Sequence, residues 1–215
     1  MAAKNIDLKI LAACTAVVMV VESGLYWAAG SESISPLALI GGARVLEGLL
    51  ILVLIAKACP GGLAAIGLSR RGVVSGIRQG LIWSAAFGAL VALVCLLVYM
   101  AAGINALARM HAADAESTRT LVLFFIVGGG VSPVAEEIFF RGVLYGYLRR
   151  WGVLTAVIFS TLLFALAHAA RGGFPLTQSV GGLLFALAYE RERSLLVPIV
   201  IHVLGNLAIF SVTLF

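Results

Sequence analysis

Seven stretches of the chain are apolar over lengths close to what a bilayer requires, and this limits the fold more than any other feature. About 20 consecutive apolar residues cross the ~30 Å hydrocarbon layer as a helix. The stretches are 8–29, 37–56, 81–102, 120–147, 152–169, 178–189 and 195–215, with 178–189 the shortest. Of the residues, 62% are hydrophobic and 12% charged, against about a quarter charged in an average soluble domain. The chain therefore reads as all-α: a polytopic membrane helix bundle of about seven transmembrane helices. Residues 1–119 supply the first helices and their linking segments, and 120–215 form a second transmembrane core. Segment 57–80 has a different texture, with Gly, Pro and Arg70, Arg71 and Arg78 interleaved with apolar residues. It is expected to lie at the interface. No internal repeat or low-complexity segment is present.

The net charge is +5, with a pI near 9.4. The basic residues flank the apolar runs, so they read as topology signals and no nucleic-acid partner is expected. With the N-terminus in the cytoplasm, ten of the 15 Lys and Arg fall inside, and only Arg109, Arg119 and Arg171 fall outside. The expectation is an N-in, C-out protein of a cell membrane. Lys4 and Lys9 before an apolar run resemble a signal peptide. Glu22 interrupts the run and no small-residue cleavage site follows, so the reading is a retained first helix. Cys14, Cys59 and Cys95 are odd in number and lack metal-type spacing, which argues against a disulfide framework.

Charges inside hydrocarbon cost several kcal/mol each by insertion scales, so every polar group within a run is a functional candidate. They are Glu22, Arg44, Glu47, Glu136, Glu137, Arg141, His168, His202 and Asn206. Glu22 sits near the outer end of the first helix, within reach of interfacial water. Arg44 and Glu47 are three apart and share a face. They read as a structural pair or interhelical clamp, or else as a lining of an access route. Glu137 and Arg141, at i and i+4, account for each other. Glu136 lies about 100° round the helix and has no local cation, which makes it a candidate proton-transfer group. Phe164 and His168 share one helix face, and His202 and Asn206 share another. Counted from the basic flanks at ~1.5 Å per residue, Glu136, His168, His202 and Asn206 lie at depths of ~21, ~25, ~14 and ~20 Å. A single polar pocket can therefore hold all four. The alternatives are a structural ion cluster, core histidines that are merely hydrogen-bonded, or a proton relay in a small transporter.

Glu136-Glu137-x-x-x-Arg141, Phe164-x-x-x-His168 and His202-x-x-x-Asn206, in that order, resemble the three signature motifs of the CPBP family, the CAAX-protease and bacteriocin-processing or Abi group. Pro133 and Ser194-Leu-Leu-Val-Pro198 fit the same pattern, and the resemblance covers roughly 121–210. It implies an intramembrane endopeptidase acting on a membrane-anchored peptide or protein tail. On this resemblance Glu136 activates water with help from His168, and His202 and Asn206 form the oxyanion hole. Glu137, Arg141 and Phe164 are supports. No cofactor is expected. Zinc is the alternative, held by Glu136, His168 and His202; separate helices for the histidines and an asparagine beside His202 favour the metal-free route. C-terminal sorting tails are the preferred substrates, with bacteriocin or pheromone precursors as another option. The non-enzymatic alternative is an Abi-type immunity or scaffold protein.

Overall fold

The computed structural model describes residues 6–28, 35–104, 118–169 and 175–212. Lys4, Arg109, Arg171 and residues 213–215, to which the sequence assigned flanking or terminal places, lie outside the described residues. Seven helices follow one another: α1 (Leu8–Ala28), α2 (Pro36–Ala58), α3 (Val73–Ala102), α4 (Thr118–Trp151), α5 (Val153–His168), α6 (Leu176–Glu192) and α7 (Leu196–Val212). No strand occurs among the described residues. By length and composition α1, α2, α3 with the turn before it, and α4 are able to cross a membrane, and α5 and α7 are shorter apolar helices. The protein is a polytopic helical membrane bundle.

Local chemistry sets the helix ends. The Asp7 carboxylate accepts the Ile10 N–H at 2.8 Å and caps α1. Pro36 opens α2, where a missing N–H costs nothing. Gly103 closes α3 in the left-handed conformation, φ 66°.

Segment 57–80, expected to lie at the interface, divides at Gly72. Two short 3₁₀ turns, Gly62–Ile66 and Arg70–Gly72, follow α2, and α3 then begins at Val73 rather than at 81. Two glycines of this segment, Gly76 and Gly80, are packing residues. A Cβ on Gly76 would come within 2.7 Å of the Ser194 hydroxyl, and one on Gly80 within 2.6 Å of Val200. Their absence lets α3 lie flush along α7.

α1 packs along α2, α5 along α6, and α3 along α7. α4 runs between α2 on one side and α5, α6 and α7 on the other. α2 leans chiefly on α1 and α4. At the basic end of the bundle a packed core joins Ile6, Ile51, Ile55, Ile66, Val143, Tyr145 and Tyr189. Glu190 braces this end, accepting the Tyr145 hydroxyl at 2.8 Å and two hydrogen bonds from Arg149 at 2.9 and 2.8 Å. A smaller core of Phe164, Phe185, Ala188, Val197 and Ile201 lies beneath the intramembrane polar groups. The outer face of α3 exposes Leu93, Val94, Leu96 and Leu97, which suits lipid rather than water.

Candidate active site

Charge burial on α4 is where the site begins. Glu137 and Arg141 have no exposed side-chain surface and pair at 2.9 Å across one helical turn. An ion pair this deep needs further partners to offset its desolvation. Arg141 donates to the Gly182 carbonyl on α6 at 3.1 Å. Its guanidinium carbon also lies 4.6 Å from the Phe164 ring centre and 5.2 Å from that of Phe185, distances at which cation–π attraction operates. Gly182 has to be glycine to let the arginine in: a Cβ there would meet Phe164 and Thr161 at 3.2 Å and Arg141 at 3.4 Å.

Glu137 has a second partner on α7. His202 Nδ1 lies 2.8 Å from the same carboxylate oxygen that Arg141 contacts. A carboxylate only accepts, so His202 carries hydrogen on Nδ1. Its ring stacks on Phe185, with centroids 4.5 Å apart. On α5, His168 Nδ1 lies 2.8 Å from the Phe164 carbonyl one turn back, which places hydrogen on Nδ1 here too. Both imidazoles therefore turn Nε2 toward the remaining group, Glu136. Its carboxylate oxygen Oε2 stands 3.8 Å from His168 Nε2 and 3.9 Å from His202 Nε2. These gaps exceed hydrogen-bond range. Three polar groups from three helices thus surround one small space.

Asn206 is positioned by a defect in α4. Over Phe125–Val131 the backbone winds as a π-helix, and the Ser132 N–H reaches back to Val127. In that register the next donor, for the Gly128 carbonyl, is Pro133, which has no N–H. Asn206 Nδ2 supplies the missing hydrogen bond at 2.9 Å. Gly128 and Gly129 permit the approach, since a Cβ on Gly129 would sit 2.5 Å from Leu207. π-turns of this kind are frequent at functional sites.

The structure brings together Glu136, Glu137, Arg141, Phe164, His168 and His202, and it holds Asn206, also singled out by the sequence, against Gly128. Phe164 is central, with contacts to Arg141, His168 and His202. Two contributors were missed, Gly182 and Phe185 on α6. The available signal was a glycine pair followed by an aromatic in an otherwise plain helix. Glu22, expected within reach of interfacial water, also pairs with Arg44 at 2.6 Å, and Arg44 holds Glu47 at 2.6 Å. The α2 pair is thus both self-paired and an interhelical clamp. Arg44 and Glu47 lie within electrostatic reach of Glu136.

A tetrahedral zinc with bonds of ~2.0–2.1 Å holds its ligand atoms roughly 3.4 Å apart. The Nε2 atoms stand 3.8 and 3.9 Å from the carboxylate oxygen, and no metal-binding group of three such side chains occurs among the described residues.

Residues 118–208 match the family model for type II CAAX prenyl endopeptidases, Rce1-like. The chain is 35% identical over 95 residues to the membrane-embedded CAAX protease MroQ of Staphylococcus aureus (strain USA300), an alignment covering 41% of this chain and 38% of MroQ. It is 30% identical over 101 residues to YdiL of Bacillus subtilis (strain 168), named as a candidate membrane peptidase, covering 43% and 41% of the two chains. The matched part thus spans about two fifths of these curated relatives. No solved structure matches. The segment that builds the site, α4 to α7, is thus the part of the chain that resembles the Rce1-like CAAX-protease family.

Proposed function

We propose that the protein is an intramembrane endopeptidase that hydrolyses a peptide bond in a membrane-anchored peptide or protein tail, with Glu136 activating the attacking water. One observation carries the reading: a carboxylate with no cation of its own faces two imidazole nitrogens at 3.8 and 3.9 Å, on three different helices. A water in that space donates one hydrogen to Glu136 and the other to His168 Nε2. Glu136 takes the proton as the oxygen attacks the carbonyl carbon, then gives it to the departing amine. Glu136 and His168 keep 16% and 24% of their side-chain surface exposed, which leaves room for a water beside them.

Negative charge developing on the carbonyl oxygen needs preorganised donors. Asn206 offers its second amide hydrogen, the first being fixed on Gly128. His202 donates through Nε2 only when both ring nitrogens carry hydrogen, since Nδ1 is committed to Glu137. The Glu137 carboxylate stabilises that imidazolium, as the buried acid does in the Ser-His-Asp arrangement. Phe164, Phe185 and Arg141 hold the rings in place.

The substrate is proposed to be a membrane-anchored C-terminal tail, and the setting a bacterial inner membrane with the N-terminus inside. Purified protein in liposomes, offered membrane-anchored tail peptides, should cut at one bond. Glu136→Ala and His168→Ala should each abolish the cut, and chelator should leave it within about twofold. Loss on chelation, restored by zinc, would favour the metal-dependent variant. Wild-type protein inert on every peptide would favour a non-proteolytic Abi-type immunity or scaffold role.

A further inference from the structure

We propose that Arg44 binds a carboxylate of the substrate close to the scissile bond, with Glu22 occupying its place until substrate arrives. The inference rests on the peptidase reading above.

The first support is position. Gly41 and Gly48 face α4, where Cβ atoms at these positions would meet Val127 and Ala135 respectively. α2 therefore runs in register with α4, and Gly48 is level with the residue before Glu136. Arg44 lies one turn beyond, ~6 Å further along the bundle axis. That is about two residues of an extended peptide, at ~3.3 Å each. A chain lying along α4 with its carbonyl over Glu136 passes the Arg44 side chain at that separation.

The second support is exposure. Arg44 keeps 24% of its side chain exposed, well inside a transmembrane helix. A guanidinium facing acyl chains is costly, so this surface faces water. The two partners of Arg44 are unlike. The Glu47 side chain is 4% exposed, and its second oxygen, Oε1, is buried without a hydrogen-bond donor. The Glu22 side chain is 38% exposed, near the far end of α1. Glu47 is a fixed anchor, whereas Glu22 can swing into water.

Exchange of Glu22 for a substrate carboxylate replaces one anion by another and leaves the charge pairing unchanged. Arginine's planar fork suits carboxylate. A substrate cation is the opposite possibility, because the Glu22–Arg44–Glu47 group carries one excess negative charge. The free Glu47 oxygen that would receive a cation has no accessible surface, so the accessible group is the guanidinium.

The carboxylate has two possible sources, a free C-terminus or an acidic side chain, and the test separates them. Take one membrane-anchored peptide that the reconstituted wild-type protein cleaves. Prepare free-acid and carboxamide versions ending two, three or four residues beyond the bond, and internal Glu and Gln versions at the same distances on either side. The expected result is a wild-type preference for the carboxylate member of one pair by ~10- to 100-fold in kcat/KM. The pair that responds identifies the source. Arg44→Gln should bring that ratio close to one, and Arg44→Lys should restore part of it. Glu22→Gln, at an exposed position, should raise it about two- to fivefold by removing the competitor. A wild-type ratio near one in every pair, or an unchanged ratio in Arg44→Gln, overturns the inference while leaving the peptidase reading intact. Failure of the wild-type protein to cleave any peptide overturns both.

Discussion

Two charged clusters lie inside the bundle, built from the same residue types and differing in how they are enclosed. In the first, Arg141 and Glu137 have no exposed surface and His202 has 7%. Phenylalanines surround it, and Gly182 closes it from α6. In the second, Arg44 links the buried Glu47 to the half-open Glu22. The closed cluster fixes geometry: Glu137 is paired with both Arg141 and His202 through one oxygen, its other oxygen and Arg141 Nε being buried without a partner, and Glu136 stands beside it. The open cluster retains a partner that water can replace. Enclosure, not composition, separates a scaffold from a surface that can exchange ligands.

The contrast can be broken by substitution. Arg141→Ala is expected to have the largest effect. It strands Glu137 in a dry site and removes the centre of an aromatic cage, at a cost of ~3–5 kcal/mol, visible as a large drop in the thermal unfolding midpoint in detergent. Glu137→Gln keeps the shape but removes the anion that holds both Arg141 and His202. It should lower kcat by ~10²-fold or more with little change in KM, read by steady-state kinetics in liposomes. Gly182→Ala forces Phe164 and Thr161 to shift and should destabilise by ~1–3 kcal/mol, measured by denaturation. Glu22→Gln should change stability by less than ~1 kcal/mol. If Glu22→Gln destabilised the fold as much as Gly182→Ala does, the second cluster would be a structural clamp and the contrast would fail.

Much of this site was legible because polar groups are conspicuous in apolar helices. Glu136 stood out as the carboxylate without a cation one turn away, and the i, i+4 spacing of Phe164 with His168 and of His202 with Asn206 marked shared faces. Phe185 gave no such signal, since an aromatic in an apolar helix resembles any core residue. The packing role of Gly76 and Gly80 was not legible, because composition does not distinguish a glycine that turns the chain from one that admits a neighbouring helix. The Glu22–Arg44 bond depends on the register of two antiparallel helices, which no local pattern encodes. The hydrogen bond from Asn206 to Gly128 was encoded indirectly: Pro133 withholds a donor, but only a π-wound backbone makes Gly128 the carbonyl left without one.

The central claim is that Glu136 takes the proton from the attacking water. The most direct measurement is kcat for Glu136→Gln in liposomes, on a membrane-anchored peptide that the wild-type protein cleaves, together with its unfolding midpoint. The account predicts a fall of ~10³-fold or more, with the midpoint and KM close to wild type. Cleavage within tenfold of wild type, or a loss explained by unfolding, would contradict it.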